Sequence, residues 1–224
     1  MISFPSMAVR HWQLWLALPC CYLLAYLVPN HWAWENGVIE NIQVAVLVWG
    51  ALHAVAVWQR GCVKNIAAIA RCALFVWVVL VGREISWGAV FLAPAGFTDQ
   101  GAWYSSRYLW YRPAVTPVLI VLSFWAVRNA WRCRLDRILL HHIATGRVPW
   151  MGMGVVLGAA ACSTCAEQAP GFALAPANAQ RFEELTELVG YIVLLMMQQS
   201  MTRSRSGAMA GSSSGRKERS PGLM

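Results

Sequence analysis

The sequence predicts an all-α membrane protein, a polytopic bundle of about six transmembrane helices. Of its 224 residues, 58% are hydrophobic and only 12% are charged, which is about half the charged share of an ordinary soluble domain. The apolar residues fall into six runs, and a helix needs roughly 20 such residues to cross a bilayer. This composition excludes a soluble globular class, because so much apolar surface has no place in water.

The six predicted spans follow one another within a single domain. A turn signal, Asn36-Gly37, precedes the second run. Pro113 and Pro117 lie where the fourth run begins, and a helix tolerates proline best in its first turn. The fifth run is rich in Gly and Ala, which is typical of closely packed membrane helices. The predicted spans are residues 12–28, 38–58, 66–93, 113–127, 150–166 and 184–201.

The basic residues predict the orientation of these spans. Lys and Arg collect before span one, between spans two and three, between spans four and five, and after span six. Short loops rich in these residues stay on the cytoplasmic side. We therefore expect both termini to be cytoplasmic and the protein to lie in the inner membrane of a bacterium. The net charge of +8 follows this pattern, and it does not indicate nucleic-acid binding because no reader fold accompanies it.

Two basic segments also suggest contact with lipid. Between Arg128 and Arg137, arginines alternate with Trp131 and Leu135, which is typical of an interfacial helix on anionic headgroups. Residues 202–224 are rich in Ser, Gly and Arg and are predicted to form a disordered basic tail. The tail has the same lipid interpretation. A simple orientation signal explains the charges of both segments equally well.

The acidic residues define the candidate functional site. Arg83-Glu84 is a charged pair inside the third apolar run, where charge is costly and needs a partner or a function. The predicted topology places Glu84 at the same depth as Glu40 and Glu187, near the outer membrane boundary. Helical spacing places Glu84 on one stripe with Trp87, and Glu187 on another with Tyr191.

These carboxylates have two interpretations. In the first, they pair with nearby arginines, and the aromatic residues form an interfacial belt. In the second, they line a shared polar pocket and act as acid and base, bind a metal or relay protons. For the second interpretation the candidate catalytic residues are Glu84, Glu187 and Glu40, and the candidate substrate contacts are Arg83, Trp87 and Tyr191.

Three short blocks resemble a group of uncharacterised bacterial multi-pass inner-membrane proteins. The blocks are Glu40-Asn41, Arg83-Glu84-Ile85-Ser86-Trp87-Gly88, and the acidic stretch from Phe182 to Leu188. The group carries a Glu-Ile-Ser-Trp-Gly core and an acidic last helix, and it has no established activity. The sequence departs from the group at Ala89, where Gln would often follow. The resemblance therefore implies a membrane fold and no particular reaction.

A pair of cysteines, Cys162 and Cys165, forms a C-x-x-C motif near the outer end of span five. The motif allows a redox role, and its alternatives are helix packing by small residues and a structural disulfide. No second cysteine pair or outer histidine complements it. His141-His142 are adjacent on a helix and point apart. No metal site is predicted.

Together these features predict an accessory or structural membrane protein with an acidic polar pocket on its outer side. Two other classes stay open. One is an enzyme acting on a lipid or lipid-linked group, with Glu84 and Glu187 as acid, base or metal ligands and Arg83 binding an anion. The other is a small transporter that uses Glu84 in a proton or cation relay. The sequence names no cofactor, substrate or protein partner.

Overall fold

Helices account for most of the chain that the computed structural model describes, which is residues 11–60, 64–98, 101–144, 149–168 and 175–203. The predicted all-α class is confirmed. A short antiparallel hairpin, β1 (Gly96–Thr98) and β2 (Gly101–Trp103), lies between the third and fourth helices. The helices are α1 (His11–Leu27), α2 (Val38–Arg60), α3 (Lys64–Glu84), α4 (Arg112–Arg132), α5 (Leu135–Ala144), α6 (Trp150–Gln168) and α7 (Pro176–Arg203).

Three helical segments are long and apolar enough to cross a membrane, which indicates membrane association. They are Val38–Arg60, Ile66–Glu84 and Arg112–Arg132. The apolar part of α1, Trp15–Leu27, is shorter. Since 1.5 Å of rise per residue gives a helix of about 20 residues a length of roughly 30 Å, each of the three segments matches the bilayer core.

The central helix of the bundle is α7, because α1, α2 and α6 all pack against it. Near the beginnings of α2 and α7, the Gln43 side chain donates a hydrogen bond to the carbonyl of Glu184 at 2.9 Å. Further along both helices, Gln198 donates to the carbonyl of Gly50 at 3.1 Å. The two helices therefore run parallel.

Helices α3 and α6 run in the opposite direction to α7. Glu84, the last residue of α3, meets Tyr191 near the middle of α7. Trp77, two turns earlier in α3, meets Gln198 in the second half. Late in α6, Ser163 meets Glu187. The C-terminal ends of α3 and α6 thus lie beside the N-terminal ends of α2 and α7.

The expected helix over residues 66–93 is wrong in its second part, because α3 ends at Glu84. Ser86, Trp87 and Gly88 have positive φ angles of 45°, 56° and 97°, which a right-handed α-helix does not contain. The Tyr111 hydroxyl donates to the Trp87 carbonyl at 2.7 Å and holds this reversal in place. Short turns over Ser86–Phe91, with a kink at Trp87 and Gly88, replace the expected helix.

The basic stretch from Arg128 to Arg137 is not one continuous helix. It covers the end of α4 and the beginning of α5, with Arg134 at φ 49° between them. The last helix, α7, is longer than the predicted span 184–201 and includes Thr202. The remainder of the predicted tail, from residue 204 onward, lies outside the described residues.

A buried polar junction ties α2, α3 and α7 together away from the candidate site. The indole N–H of Trp77 donates to the Gln198 side-chain oxygen. The Gln198 nitrogen lies 3.1 Å from the Gly50 carbonyl and 2.8 Å from Nδ1 of His53. Trp77 is 1% exposed, so its N–H needs this partner. Gly50 is required for the approach, because a Cβ at that position would lie 2.5 Å from the Trp77 ring.

We expect Gly50→Ala to destabilise the protein by about 1–3 kcal/mol, the usual cost of overpacking a closely packed core. The matched control is Gly190→Ala in α7, where the added Cβ would meet its nearest neighbour, Ala159 Cβ, at an ordinary 3.4 Å. The control should be neutral or stabilising, because alanine is the better helix former. Thermal unfolding in detergent measures both variants, and equal midpoints would contradict the proposed contact.

Candidate functional site

Five side chains from three helices form the candidate site, which we call the charged cluster. They are Arg83 and Glu84 from the end of α3, Ser163 from α6, and Glu187 with Tyr191 from α7. Glu187 and Tyr191 are four residues apart and therefore share a helix face. The antiparallel packing of α3 and α6 on α7 brings all five residues to one end of the bundle.

Arg83 is the centre of the charged cluster. Its Nη2 lies 2.5 Å from Oε1 of Glu187, and its Nε lies 3.9 Å from Oε1 of Glu84. Its Nη1 donates to the Tyr191 hydroxyl at 3.3 Å. The guanidinium group thus reaches both carboxylates, one on its own helix and one on α7.

Two hydroxyl groups complete the bonding of the carboxylates. Tyr191 donates to Oε1 of Glu84 at 2.7 Å, and Ser163 donates to Oε1 of Glu187 at 2.8 Å. The side chains of Glu84 and Glu187 are only 7% and 11% exposed, whereas Arg83 is 55% exposed. Each buried carboxylate therefore has both a cationic partner and a hydroxyl donor, as a buried ion requires.

Of the six residues predicted for the site, four come together. Arg83, Glu84, Glu187 and Tyr191 are in the charged cluster; Trp87 and Glu40 are not. Trp87 folds back along α3, where a Cβ on Gly82 would lie 2.5 Å from its ring. The predicted stripe shared by Glu84 and Trp87 is wrong, because the helix ends between them.

Glu40 has a local role at the beginning of α2. Its carboxylate accepts a hydrogen bond from the backbone N–H of Asn36, four residues earlier. A carboxylate in the first turn of a helix also interacts favourably with the positive end of the helix dipole. Among the described residues, its carboxylate has no hydrogen bond or ion pair with a member of the charged cluster. Glu40 is therefore not a bonded member of the cluster.

A second polar contact lies beside the charged cluster and was not predicted. Gln43 of α2 is completely buried, and its Nε2 donates to Oε2 of Glu184 at 3.0 Å as well as to the Glu184 backbone carbonyl. Ser163 was also missed as a site residue. The available signal was the same for both, since each is a polar residue inside an otherwise apolar run.

Cys162 and Cys165 are free cysteines on α6. Cys162 is half-buried against Cys21 and Phe182, in an apolar cluster between α1, α6 and α7. Cys165 is exposed. The disulfide alternative for this pair is not realised, and helix packing accounts for Cys162. The redox role stays a prediction.

Within the part of the chain that the structure describes, no group of three or more His, Cys, Asp or Glu side chains is placed to hold a metal ion.

Comparisons of the chain with protein-family models, curated proteins and solved structures give no significant match.

We expect Tyr191→Phe to lower the free energy of unfolding by about 1–3 kcal/mol, because buried Glu84 loses its hydroxyl donor. The same change at Tyr108, whose side chain is 73% exposed, is the matched control and should stay within about 0.5 kcal/mol of wild type. Chemical or thermal unfolding of the purified protein compares the two. A Tyr191→Phe protein as stable as the Tyr108→Phe protein would show that the hydroxyl is dispensable.

Proposed function

We propose that this chain is a multi-pass membrane protein in which the charged cluster joins three helices, and that its role is accessory or structural. The observation that carries the proposal is the mutual pairing of the cluster. Glu84 and Glu187 each have a hydroxyl donor and share the guanidinium of Arg83. A catalytic acid or base must reach a substrate proton, whereas these two carboxylates are mostly buried and already hydrogen-bonded.

A structural role is supported by the free energy that other packings of these helices would cost. A carboxylate left unpaired in a medium of low dielectric constant costs several kcal/mol. The Arg83 and Glu187 charges meet only when α3 and α7 adopt one relative register. Ser163 adds α6 to the same arrangement. The charged cluster therefore penalises other packings of these helices, which is a specificity role that buried ion pairs have in some proteins.

We extend the proposal to the topology of the membrane domain. Six spans with both termini in the cytoplasm, in a bacterial inner membrane, are supported by the directions of the helices and by the basic loops. The stretch from Arg128 to Arg137 and the basic tail are proposed to contact anionic headgroups. We also propose that the chain belongs to the group of membrane proteins with the Glu-Ile-Ser-Trp-Gly core.

A groove on the outside of α2 favours a second candidate, an enzyme that acts on a lipid or lipid-linked substrate. The groove has a volume of about 840 Å³, within the range of small-molecule sites. Its polar end is formed by His31, Asn36 and Asn41, and its apolar wall continues to Trp49 and Leu195. A polar end followed by an apolar wall matches the headgroup and acyl chain of a lipid. The anion-binding group proposed for this enzyme is Arg83, which is half-exposed but does not line the groove.

The pairing of Arg83 with Glu187 is tested by comparing Arg83→Gln and Glu187→Gln with the double variant. If the pair is structural, the double variant should lose less free energy of unfolding than the two single variants lose together. We expect this difference, the coupling energy, to be about 0.5–3 kcal/mol. The reason is that each single change leaves one charge without its partner, whereas the double change removes both charges. Additive effects would contradict the structural pairing.

Mass spectrometry of the membrane lipids of a Glu84→Gln strain separates the two functions. The structural proposal expects an unchanged lipid composition in a Glu84→Gln strain that contains the normal amount of protein. Accumulation of a lipid precursor in that strain would favour the enzyme. The control is Glu167→Gln, since Glu167 is exposed and outside the charged cluster.

The six-span topology is tested with reporters joined to the chain at two places. A reporter after Met201 should be active as a cytoplasmic fusion, and one after Pro94 should be active as a fusion on the outer side. The reason is that the basic loops place the C-terminal end of α7 inside and the segment after α3 outside. A reversed pattern, or the same side for both fusions, would contradict the proposal.

A further inference from the structure

We propose that the groove on the outside of α2 binds one phospholipid with a zwitterionic headgroup that carries a primary ammonium, the phosphatidylethanolamine class. The groove lies along a helix that is long and apolar enough to cross a membrane. The site rests on the proposed crossing of the membrane by α2. It depends on neither of the two proposed functions, because it binds a lipid without a reaction.

The polar end of the groove offers hydrogen-bonding groups that the described part of the chain does not use. The Asn41 side-chain nitrogen donates to the Gly37 carbonyl at 2.7 Å and to the Asn36 carbonyl at 3.1 Å. Both acceptors are carbonyl oxygens, so the orientation of the amide is fixed and its Oδ1 is left as an acceptor. Neither this oxygen nor the His31 ring, which also lines the groove, has a hydrogen-bond partner among the described residues. Both are available to a polar headgroup.

Beyond its polar end, the groove is apolar over the depth of one membrane leaflet. Its wall passes Ile42 and Ala45 and reaches Trp49, and Leu195 of α7 lines it as well. Trp49 follows Gly37 by twelve residues, which is roughly 18 Å of helix at 1.5 Å per residue. One leaflet is about 15 Å thick, half of a hydrocarbon core of about 30 Å. The groove therefore has the length of an acyl chain that begins at the interface and ends near the middle of the membrane.

Ala45 and Trp49 give the groove its shape. Ile42, Ala45 and Trp49 follow one another at spacings of three and four residues and so share one face of α2. The small side chain of Ala45 leaves a depression between the two larger ones. Trp49 is 46% exposed and lies in the middle of α2, whereas exposed Trp side chains of membrane proteins usually lie at the interface. A lipid chain in the groove gives this indole a contact that an interfacial position would otherwise provide.

The lining also determines the class of headgroup. None of the described lining residues is Asp, Glu, Lys or Arg, whereas proteins usually bind the charge of a phosphate with Arg or Lys. An anionic lipid would therefore lack a cationic partner in the groove. A zwitterionic headgroup brings its own ammonium and adds no net charge. A primary ammonium also donates hydrogen bonds to an acceptor such as Asn41 Oδ1, which a trimethylated choline headgroup cannot do.

The experiment is native mass spectrometry of the full-length protein, released from detergent micelles that contain dioleoylphosphatidylethanolamine. We expect the wild-type protein to retain one lipid molecule. Ala45→Phe fills the depression and should lower this retention about tenfold, the effect of an overpacked contact. The matched control is Ala161→Phe, at an exposed position of α6 outside the groove, and it should retain the lipid as the wild type does. Ala45→Leu gives a smaller obstruction if Ala45→Phe fails to fold.

Two further comparisons identify the lipid and separate its site from the charged cluster. Phosphatidylcholine and phosphatidylglycerol with the same acyl chains should be retained less than phosphatidylethanolamine. Glu84→Gln should retain the lipid, because Glu84 does not line the groove. Lipid binding can therefore fail while the role proposed for the charged cluster holds, and the reverse.

Three outcomes would overturn the inference. The absence of retained lipid in the wild type, or equal retention by Ala45→Phe, would show that the groove does not hold it. Stronger retention of phosphatidylglycerol would contradict the zwitterionic headgroup. A wild-type dimer that Ala45→Phe converts to a monomer would place a second copy of the chain in the groove.

Discussion

The contact between Arg83 and Glu187 is the interaction on which the arrangement of α3, α6 and α7 depends. It joins the last turn of α3 to the first half of α7 at 2.5 Å. Ser163 then brings α6 to the same carboxylate, and Tyr191 brings α7 to Glu84. In a bilayer, apolar faces of helices have little reason to prefer one another over lipid. Polar contacts of this kind therefore select one packing among many.

Polar contacts connect α2, α3 and α7 at two levels. The charged cluster holds α3 and α7 near one end, and Gln198 joins Trp77 to the backbone of α2 further along. An apolar cluster that contains Leu47 and Ala54 of α2 also includes Trp77 and Tyr191, and it packs the same three helices together. Gly50 lets the Trp77 ring approach the α2 backbone. The polar contacts at the two levels determine the register of the helices, and the small residue Gly50 determines the distance between them.

The backbone after α3 reverses direction next to the charged cluster. Left-handed φ angles at Ser86, Trp87 and Gly88 end the helix directly after Glu84. The motif around Glu84 is then understood in two parts. Arg83 and Glu84 provide charge, whereas Trp87 and Gly88 provide the reversal, with the Trp87 ring lying against Gly82. The chain thus leaves the third helix directly after the ion-paired residues Arg83 and Glu84.

The sequence by itself determined the helical class, the association with a membrane and most of the helix positions. These follow from composition and from the length of apolar runs, which act locally along the chain. It also predicted Arg83, Glu84, Glu187 and Tyr191 as candidate site residues, from the cost of charge inside apolar runs and from the four-residue spacing of Glu187 and Tyr191.

Only the tertiary structure decided which of these residues meet and where α3 ends. The sequence predicted Glu40 and Trp87 for the site just as it predicted Glu187. In the structure, Glu40 accepts a hydrogen bond from the backbone of Asn36, and Trp87 folds onto its own helix. Ser163 and Gln43 were overlooked because the sequence around a single polar residue does not indicate which residue it will bond to. Their partners lie on other helices, 24 and 141 residues away. Contacts over such distances are set by how whole helices pack, and no local pattern contains that information.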